Sequence, residues 1–409
     1  MTRYRETFGA FIRRPNVAIA LAVCSAVAVV GVTMALFGRA ATSVVMAESE
    51  AGLLAGGAVL VTDAAASGGR AVQFKQVATP TPPPPTPPPA AGRVVTVSTA
   101  AQLTAALANA APGDVITMAN GTYSGKFNST RSGTADKPIT LKGSRSAIVS
   151  GGSLGSGYTL SLGTKNSAQA VSFWRFEGFT VTGGQKGIMW DNVQRSVINN
   201  LYVHTTGQEA IHLRNFSSNN TVSNNTVTKA GQAEQRYGEG IYVGTAVSNW
   251  STFSQGRADR SNNNQIIGNS ISNTGSENID IKEGTHGGLI ADNKLDGTGM
   301  CYDTAADCNF SDSMIDVKGE GWTIRGNTAA HMRAAWKGSG VENDGFQVHV
   351  ISGASAENSG QNNTFTQNTI DDVAGYAIKV TGKATGTVVK CDNIATRTGK
   401  GLTNLTCTR

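Results

Sequence analysis

The sequence predicts an all-β protein whose body, residues 92–409, is a right-handed parallel β-helix. Three observations carry this expectation. A unit of the form N-x-hydrophobic recurs at Asn200 ("NNLYV"), Asn225 ("NNTVT"), Asn269 ("GNSIS"), Asn293 ("DNKLD"), Asn327 ("GNTAA") and Asn368 ("QNTID"), at intervals of 24 or 25 residues that insertions lengthen in places. Self-similarity at such a period marks a stacked solenoid. Each unit also holds a short alternating segment: "GIMWD", "AIHLR", "GIYVG", "NIDIK", "MIDVK", "GFQVH" or "AIKVT". Alternate residues of a strand face opposite sides, so Ile188, Ile211, Ile241, Ile279, Ile315, Phe346 and Ile378 would stack in one internal column. Finally, asparagines at equivalent bends can form an internal hydrogen-bonded ladder, and glycines permit the tight corners.

The segments before and around this body follow in order. Residues 1–46 contain Val17 to Phe37, an uncharged, largely apolar run of 21 residues behind Arg13 and Arg14. That pattern predicts export, with the run serving as an uncleaved membrane anchor; a signal peptide cut near Val45 and Ala47 is the alternative. Residues 47–78, with "AESEAGLLAGGAVLVTDAAASGGRAVQF", resemble the opening strands of the carbohydrate-binding modules of families 6 and 35. A plain surface spacer would read the same way. Residues 79–91 hold eight of the eleven prolines and predict a semi-rigid polyproline II linker. In "STAAQLTAALANAAPGD", Ser98 or Thr99 can N-cap a helix with Leu103 and Leu107 on one face, ended by Pro112-Gly113, which would cover the open end of the solenoid.

The net charge of +6 is mostly a topology signal, because residues 1–47 carry five Arg against one Glu while residues 92–409 hold 27 Lys+Arg against 24 Asp+Glu. No basic stripe with interleaved aromatics is present, which excludes nucleic acid as the expected partner. Cys24 lies in the apolar run, and the remaining four cysteines suit two local disulfides, Cys301 with Cys308 and Cys391 with Cys407, in an oxidising compartment. A monomer at the cell surface or outside the cell is expected.

If the segments stack in register, three outward rows form. One reads Met189, His212, Tyr242, Asp280, Asp316, Gln347, Lys379; the next reads Asp191, Arg214, Gly244, Lys282, Lys318, His349, Thr381; a third reads Lys186, Glu209, Glu239, Glu277, Ser313, Asp344, Tyr376. Solvated strand faces are usually polar, but like charges on adjacent strands repel, and Lys282 over Lys318 and Asp280 over Asp316 are such pairs. A cation among the acids and an anionic ligand on the lysines would relieve both, so this face is the expected site. Tyr237, Trp250 to Phe253, Tyr302 and Trp336 lie in flanking insertions that would either wall a groove and stack on sugar rings or serve ordinary loop packing.

"PGDVITMANGTYSGKF" followed by "GTADKPITLKG" resembles the first coil of the family 6 polysaccharide lyases, which include alginate lyases and chondroitinase B, and residues 92–409 as a whole look like the pectate-lyase-like β-helix superfamily. "SENIDIKEGT" and "SDSMIDVKGEGW" are similar to the calcium-binding coils of family 9 pectate lyases, with Glu277, Asp312 and Asp316 at ligand positions. Ser313 departs from that pattern, and Gln347 stands where the base lysine is expected, with Lys379 one coil further on. The resemblance implies a Ca²⁺-dependent lyase that cleaves an acidic, uronate-containing polysaccharide by β-elimination. Oxygen donors from Glu277, Asp280, Asp312 and Asp316 suit the ion, and Lys282 is the expected base, with Lys318 or Arg214 on the substrate carboxylate and His349 or Lys379 as substitutes. His212, Tyr242, Glu239 and Asp344 are the expected substrate-binding residues. Two stacked lysines would depress one another's pKa provided the metal offsets the nearby acids; otherwise the acids raise it. The competing readings are a glycoside hydrolase using Asp280 and Asp316, a C5-epimerase, and a non-catalytic glycan-binding solenoid.

Overall fold

Strict inside-outside alternation, broken every few residues by Gly or Asn, is the recipe for short strands that turn repeatedly around one core, and the structure follows it. The computed structural model describes residues 58–62, 64, 70–74, 92–300, 311–332, 343–351 and 359–409. The expected anchor or signal segment, the proline-rich linker, the Cys301/Cys308 pair, Tyr302 and Trp336 lie outside the described residues. Among the described residues, no helix is long and apolar enough to cross a membrane. The chain divides into two units, Met1–Thr86 and Pro87–Arg409. In the first, Ala58–Thr62 pairs antiparallel with Arg70–Phe74, Ala58 opposite Phe74.

The second unit is a parallel β-helix built from three long sheets. The first sheet has eleven strands, from Val94–Val97 to Val388–Val389; the second has ten, from Gly121–Ser124 to Ile394–Thr398; the third has nine, from Phe127–Ser129 to Ile378–Val380. Each complete coil gives one strand to each sheet, as Gln265–Ile267, Ser270–Ser272 and Ile279–Ile281 do, and pairs in parallel with the coils on either side. The predicted internal column is present in register: Ile188 opposes Ile211, then Ile241, Ile279, Ile315, Phe346 and Ile378, all fully buried. In the earlier coils Trp174, Phe179 and Trp190 all set their rings edge-on to Phe176, at centroid separations of 5.8–6.0 Å, and fill the core beside the isoleucine column.

The bend between the first and second sheets has a two-residue rule. Its first residue is left-handed: Asn224, Gly268, Asp292, Gly326 and Gln367 have φ of 56°, 66°, 58°, 64° and 57°. Gly, Asn and Asp dominate there because they tolerate that conformation best. Its second residue is a buried asparagine. Asn269 accepts from the Asn225 backbone N (3.0 Å) and Nδ2 (2.9 Å), while its own Nδ2 donates to Val222 O and to Asn293 Oδ1, both at 2.9 Å. The same pattern continues through Asn293, Asn327 and Asn368, and ends on Asn393, which the repeat unit had not indicated. Asn200 is a correction. It is the left-handed residue of its bend (φ 55°), and Leu201 takes the ladder position, donating its N to Asn225 Oδ1 at 2.8 Å. The doubled "NN" of that coil left the ladder position open by one residue.

The expected helix spans Ala100–Ala108; Thr99 is its N-cap, accepting from Gln102 N at 3.2 Å, and Leu103 and Leu107 are buried in the core. It ends before Pro112-Gly113 at Asn109, whose φ of −106° and ψ of 11° leave the helical region while its backbone N (3.1 Å) and Nδ2 (2.9 Å) both donate to the Ala105 carbonyl. Near the other end, Cys391 and Cys407 form the expected disulfide. The ladder makes a specific prediction: Asn269→Leu strands the buried donors of Asn225 and should lower the unfolding free energy by about 2–4 kcal/mol, read as a lower urea midpoint with an unchanged slope.

Candidate active site

Because the core column is in register, so are the outward rows of the third sheet. Met189, His212, Tyr242, Asp280, Asp316, Gln347 and Lys379 oppose one another in sequence, as read from the sequence alone. The two flanking rows follow from the same pairing. Over the middle of this face lies a cleft of about 650 Å³, lined by Lys186, Glu209, His212, Arg214, Glu239, Tyr242, Glu277, Asp280, Lys282, Asp312, Asp316, Lys318 and His349, with Tyr158, Tyr237 and Phe253 along its sides.

At its centre, charges of opposite sign pair across the rows. Asp280 holds both lysines, Lys282 Nζ at 2.5 Å from Oδ2 and Lys318 Nζ at 3.1 Å from Oδ1. Lys318 also binds Asp316, and His349 Nδ1 lies 2.9 Å from the other oxygen of Asp316, with Nε2 3.7 Å from Asp312. The result is a chain of alternating charge from Lys282 to Asp312. Burial works against both lysine charges, but Asp280, together with Glu239 beside Lys282 and Asp316 beside Lys318, more than offsets it and raises both above the ordinary lysine range. Mutual depression of the stacked lysines is therefore outweighed by the acid between them. Asp316 drives the His349 imidazole up to about 9. Although burial opposes its ionisation, Asp316 itself is held well below the usual carboxylate range by His349 and Lys318.

The acids fall into two groups. Glu239, Glu277 and Asp280 bring one oxygen each within 4.8 Å of one another, and so do donor atoms of Asp312, Asp316 and His349. The four acids expected to form one ligand set are divided because Lys318 sits between Asp280 and Asp316 and binds both. Glu239, expected on the substrate, joins the first group instead. Its Oε2 is buried with no partner among the described residues, and burial followed by the charges of Glu209, Glu277 and Asp280 pushes it well above the carboxylate range. Burial and Asp280 likewise push Glu277 up to about 8, and burial and Asp316 push Asp312 up to about 6. An all-oxygen donor set with an unsatisfied buried oxygen fits a hard cation such as Ca²⁺ and not a thiolate- or imidazole-seeking metal.

Towards the earlier coils, Arg214 grips Asp191 through Nε (2.8 Å) and Nη2 (3.2 Å), donates to the Tyr158 hydroxyl at 3.1 Å, and lies 3.8 Å above the Phe253 ring. Lys186 pairs with Glu209, which its charge draws down to about 2 against the opposing effect of burial. His212 is pushed down by burial, donates Nε2–H to Gly244 O at 3.0 Å, and packs on Tyr242 with ring centroids 4.3 Å apart. Lys282 Nζ stands 4.8 Å from the same Tyr242 ring.

Three expected residues sit elsewhere. Asp344 is fully buried under Lys379 Nζ (3.3 Å), Gln347 Nε2 (2.9 Å) and Tyr376 N (2.6 Å), and neither it nor Lys379 lines the cleft among the described residues. Trp250 is buried, its Nε1 donating to Thr245 O at 2.8 Å, so it braces the insertion and does not wall the groove. The sequence reading missed Tyr158 and Asp259. Asp259, fully buried, accepts from Asn215 N and Phe216 N, both at 2.7 Å, and from Thr245 Oγ1 at 2.6 Å, pinning the insertion that carries Phe253 beside Arg214. Only an unexplained acid in a polar loop marked it.

No family model matches the sequence, and no curated protein matches it. Among solved structures, an alginate lyase from Paenibacillus sp. str. FPU-7 is 35% identical over 76% of this chain and 99% of its own, with a TM-score of 0.62. The pectate lyase Pel9A has the same fold at 14% identity, over 75% of this chain and 80% of its own, with a TM-score of 0.53. With its parallel coils, its charged cleft and a relative this similar along its whole length, the chain belongs to the pectate-lyase-like parallel β-helix superfamily and is a polysaccharide lyase that works by β-elimination.

Proposed function

We propose that the protein acts outside the cell or at its surface on a uronate-containing polysaccharide, with alginate the first candidate, and that Lys282 is the base. The observation that carries this reading is the grip of Lys282 and Lys318 on one carboxylate, Asp280, in a cleft floored by Tyr242. A uronate C5 proton is weakly acidic, so elimination needs three things: the neighbouring carboxylate neutralised, a base at C5 and a proton for the departing oxygen. Lys318 is suited to the first task. Neutral Lys282 takes the C5 proton, the electron pair forms C4=C5, and the C4–O4 bond breaks. Tyr242, whose hydroxyl is pushed well above its usual range by burial and then by Asp280, stays protonated and gives its proton to O4. Glu239, Glu277 and Asp280 are the residues that would hold Ca²⁺, and the ion when bound would supply positive charge that offsets the acids now raising Lys282. The hydrolase reading gains nothing from the geometry, since Asp280 and Asp316 are both committed to lysines.

Absorbance at the unsaturated-uronate band is the direct assay, run over alginate, pectate and glucuronan. Lys282→Met should cut kcat by roughly 10²–10⁴-fold with the fold intact, and in the wild type the rate should climb on the alkaline side as Lys282 loses its proton. Saturated products, or an unchanged rate in the variant, would sink the assignment. Calcium has a separate readout in stability. The raised carboxyls of Glu239 and Glu277 bind protons more tightly in the folded state, so in chelator stability should fall as pH rises from the ordinary carboxylate range through about 8. Added Ca²⁺ should therefore raise the melting temperature more at pH 8 than at pH 5, and a pH-independent calcium effect would remove the cation from these three acids.

A further inference from the structure

We infer that the Arg214 end of the cleft is a second carboxylate subsite, which holds a non-reacting uronate of the same polymer chain and makes cleavage depend on substrate length. The inference rests on the assignment of Lys282 as base. Arg214, Gly244 and Lys282 follow the paired residues Leu213, Val243 and Ile281, so the backbones of Arg214 and Lys282 stand two coils apart in one row, or ~10 Å, and the guanidinium turns away to Asp191 of the coil beyond while Lys282 turns to Asp280 of its own. In a uronate the carboxyl carbon is bonded directly to C5. One sugar therefore cannot place its C5 hydrogen at Lys282 and its carboxylate on Arg214, and whatever anion Arg214 receives belongs to another ring.

Arg214 is built to receive one. Of the five N–H donors of a guanidinium, three are engaged by Asp191 and Tyr158, and Nη1 has no partner among the described residues although Arg214 lines the cleft. The group is 2% exposed, and its plane is supported by the Phe253 ring, whose centroid is also 4.8 Å from Lys165 Nζ. A flat, pre-oriented guanidinium with a free Nη1 suits one oxygen of a carboxylate. An ion pair needed only for packing would be replaceable by apolar side chains of similar volume at little or no loss of stability. Gly244, lying between Arg214 and Lys282, contributes no side chain that would interrupt a polymer running along the row.

The test measures kcat/KM on oligouronates of graded length, from trimer upward, for the wild type, Arg214→Lys and Phe253→Ala. The wild type should gain once the oligomer is long enough to reach Arg214. Both variants should lose about tenfold on the longer oligomers, the scale of one charge-assisted hydrogen bond, and far less on the shortest oligomer that is cleaved. Equal loss at every length would move Arg214 to the elimination centre, and no loss at any length would leave it a packing pair; either overturns the subsite. Phe253→Ala, in an insertion outside the core, guards against misfolding of the Arg214 variant. If the wild type cleaves no uronan, the catalytic assignment fails instead, and calorimetric titration with a long oligouronate still decides the subsite by whether Phe253→Ala weakens binding.

Discussion

The buried asparagine ladder is the constraint on which the rest of the structure depends. Strands in a parallel stack can slide, and a slip of one residue exchanges inner and outer faces. Here each coil is locked to the next by a carboxamide that bonds both the backbone and the side chain of its neighbour, from Asn225 to Asn393. The left-handed residue before each asparagine from Asn225 to Asn368 sets the bend at which that bond forms. With the corner fixed, the isoleucine column inside and the charged rows outside are fixed by chain geometry, and no separate device is needed to align the site.

Fixed rows create an electrostatic problem, since Asp280 stands over Asp316 and Lys282 over Lys318. The structure resolves it diagonally. Each acid is bonded to a cation from the neighbouring row, and Lys318 bridges two acids at once. Glu239 and Glu277 are left outside this pattern, and their carboxyls are the ones most strongly driven towards the neutral form. A cleft whose paired charges balance and whose surplus acids retain protons is less repellent to a polyanion than its composition suggests.

Much of this was legible in the sequence because it is local. The alternation in "NIDIK" and "MIDVK" states which residues point outward, and the core isoleucines give the register, so three rows could be written down before any coordinates. What was not legible depends on longer reach. Which acid a lysine selects turns on side-chain geometry across coils, so the division of Glu277 and Asp280 from Asp312 and Asp316 was invisible. Asp344 looked outward in the alternation, yet it is closed over by Lys379, Gln347 and Tyr376. The insertion that brings Phe253 to Arg214 is held by Asp259 bonding backbone 44 and 43 residues away, at Asn215 and Phe216, and no periodicity encodes that contact.

That insertion also leaves the stacking undisturbed. Asn220 N meets Asn264 Oδ1 at 3.0 Å across it, the same bond that Ser196 makes to Asn220 without any insertion between coils. The solenoid thus behaves as a rack with interchangeable attachments. Loops of very different length can be mounted or removed at that corner while the reacting column keeps its alignment, so the choice of polymer can diverge between relatives without the bond-breaking chemistry having to be rebuilt.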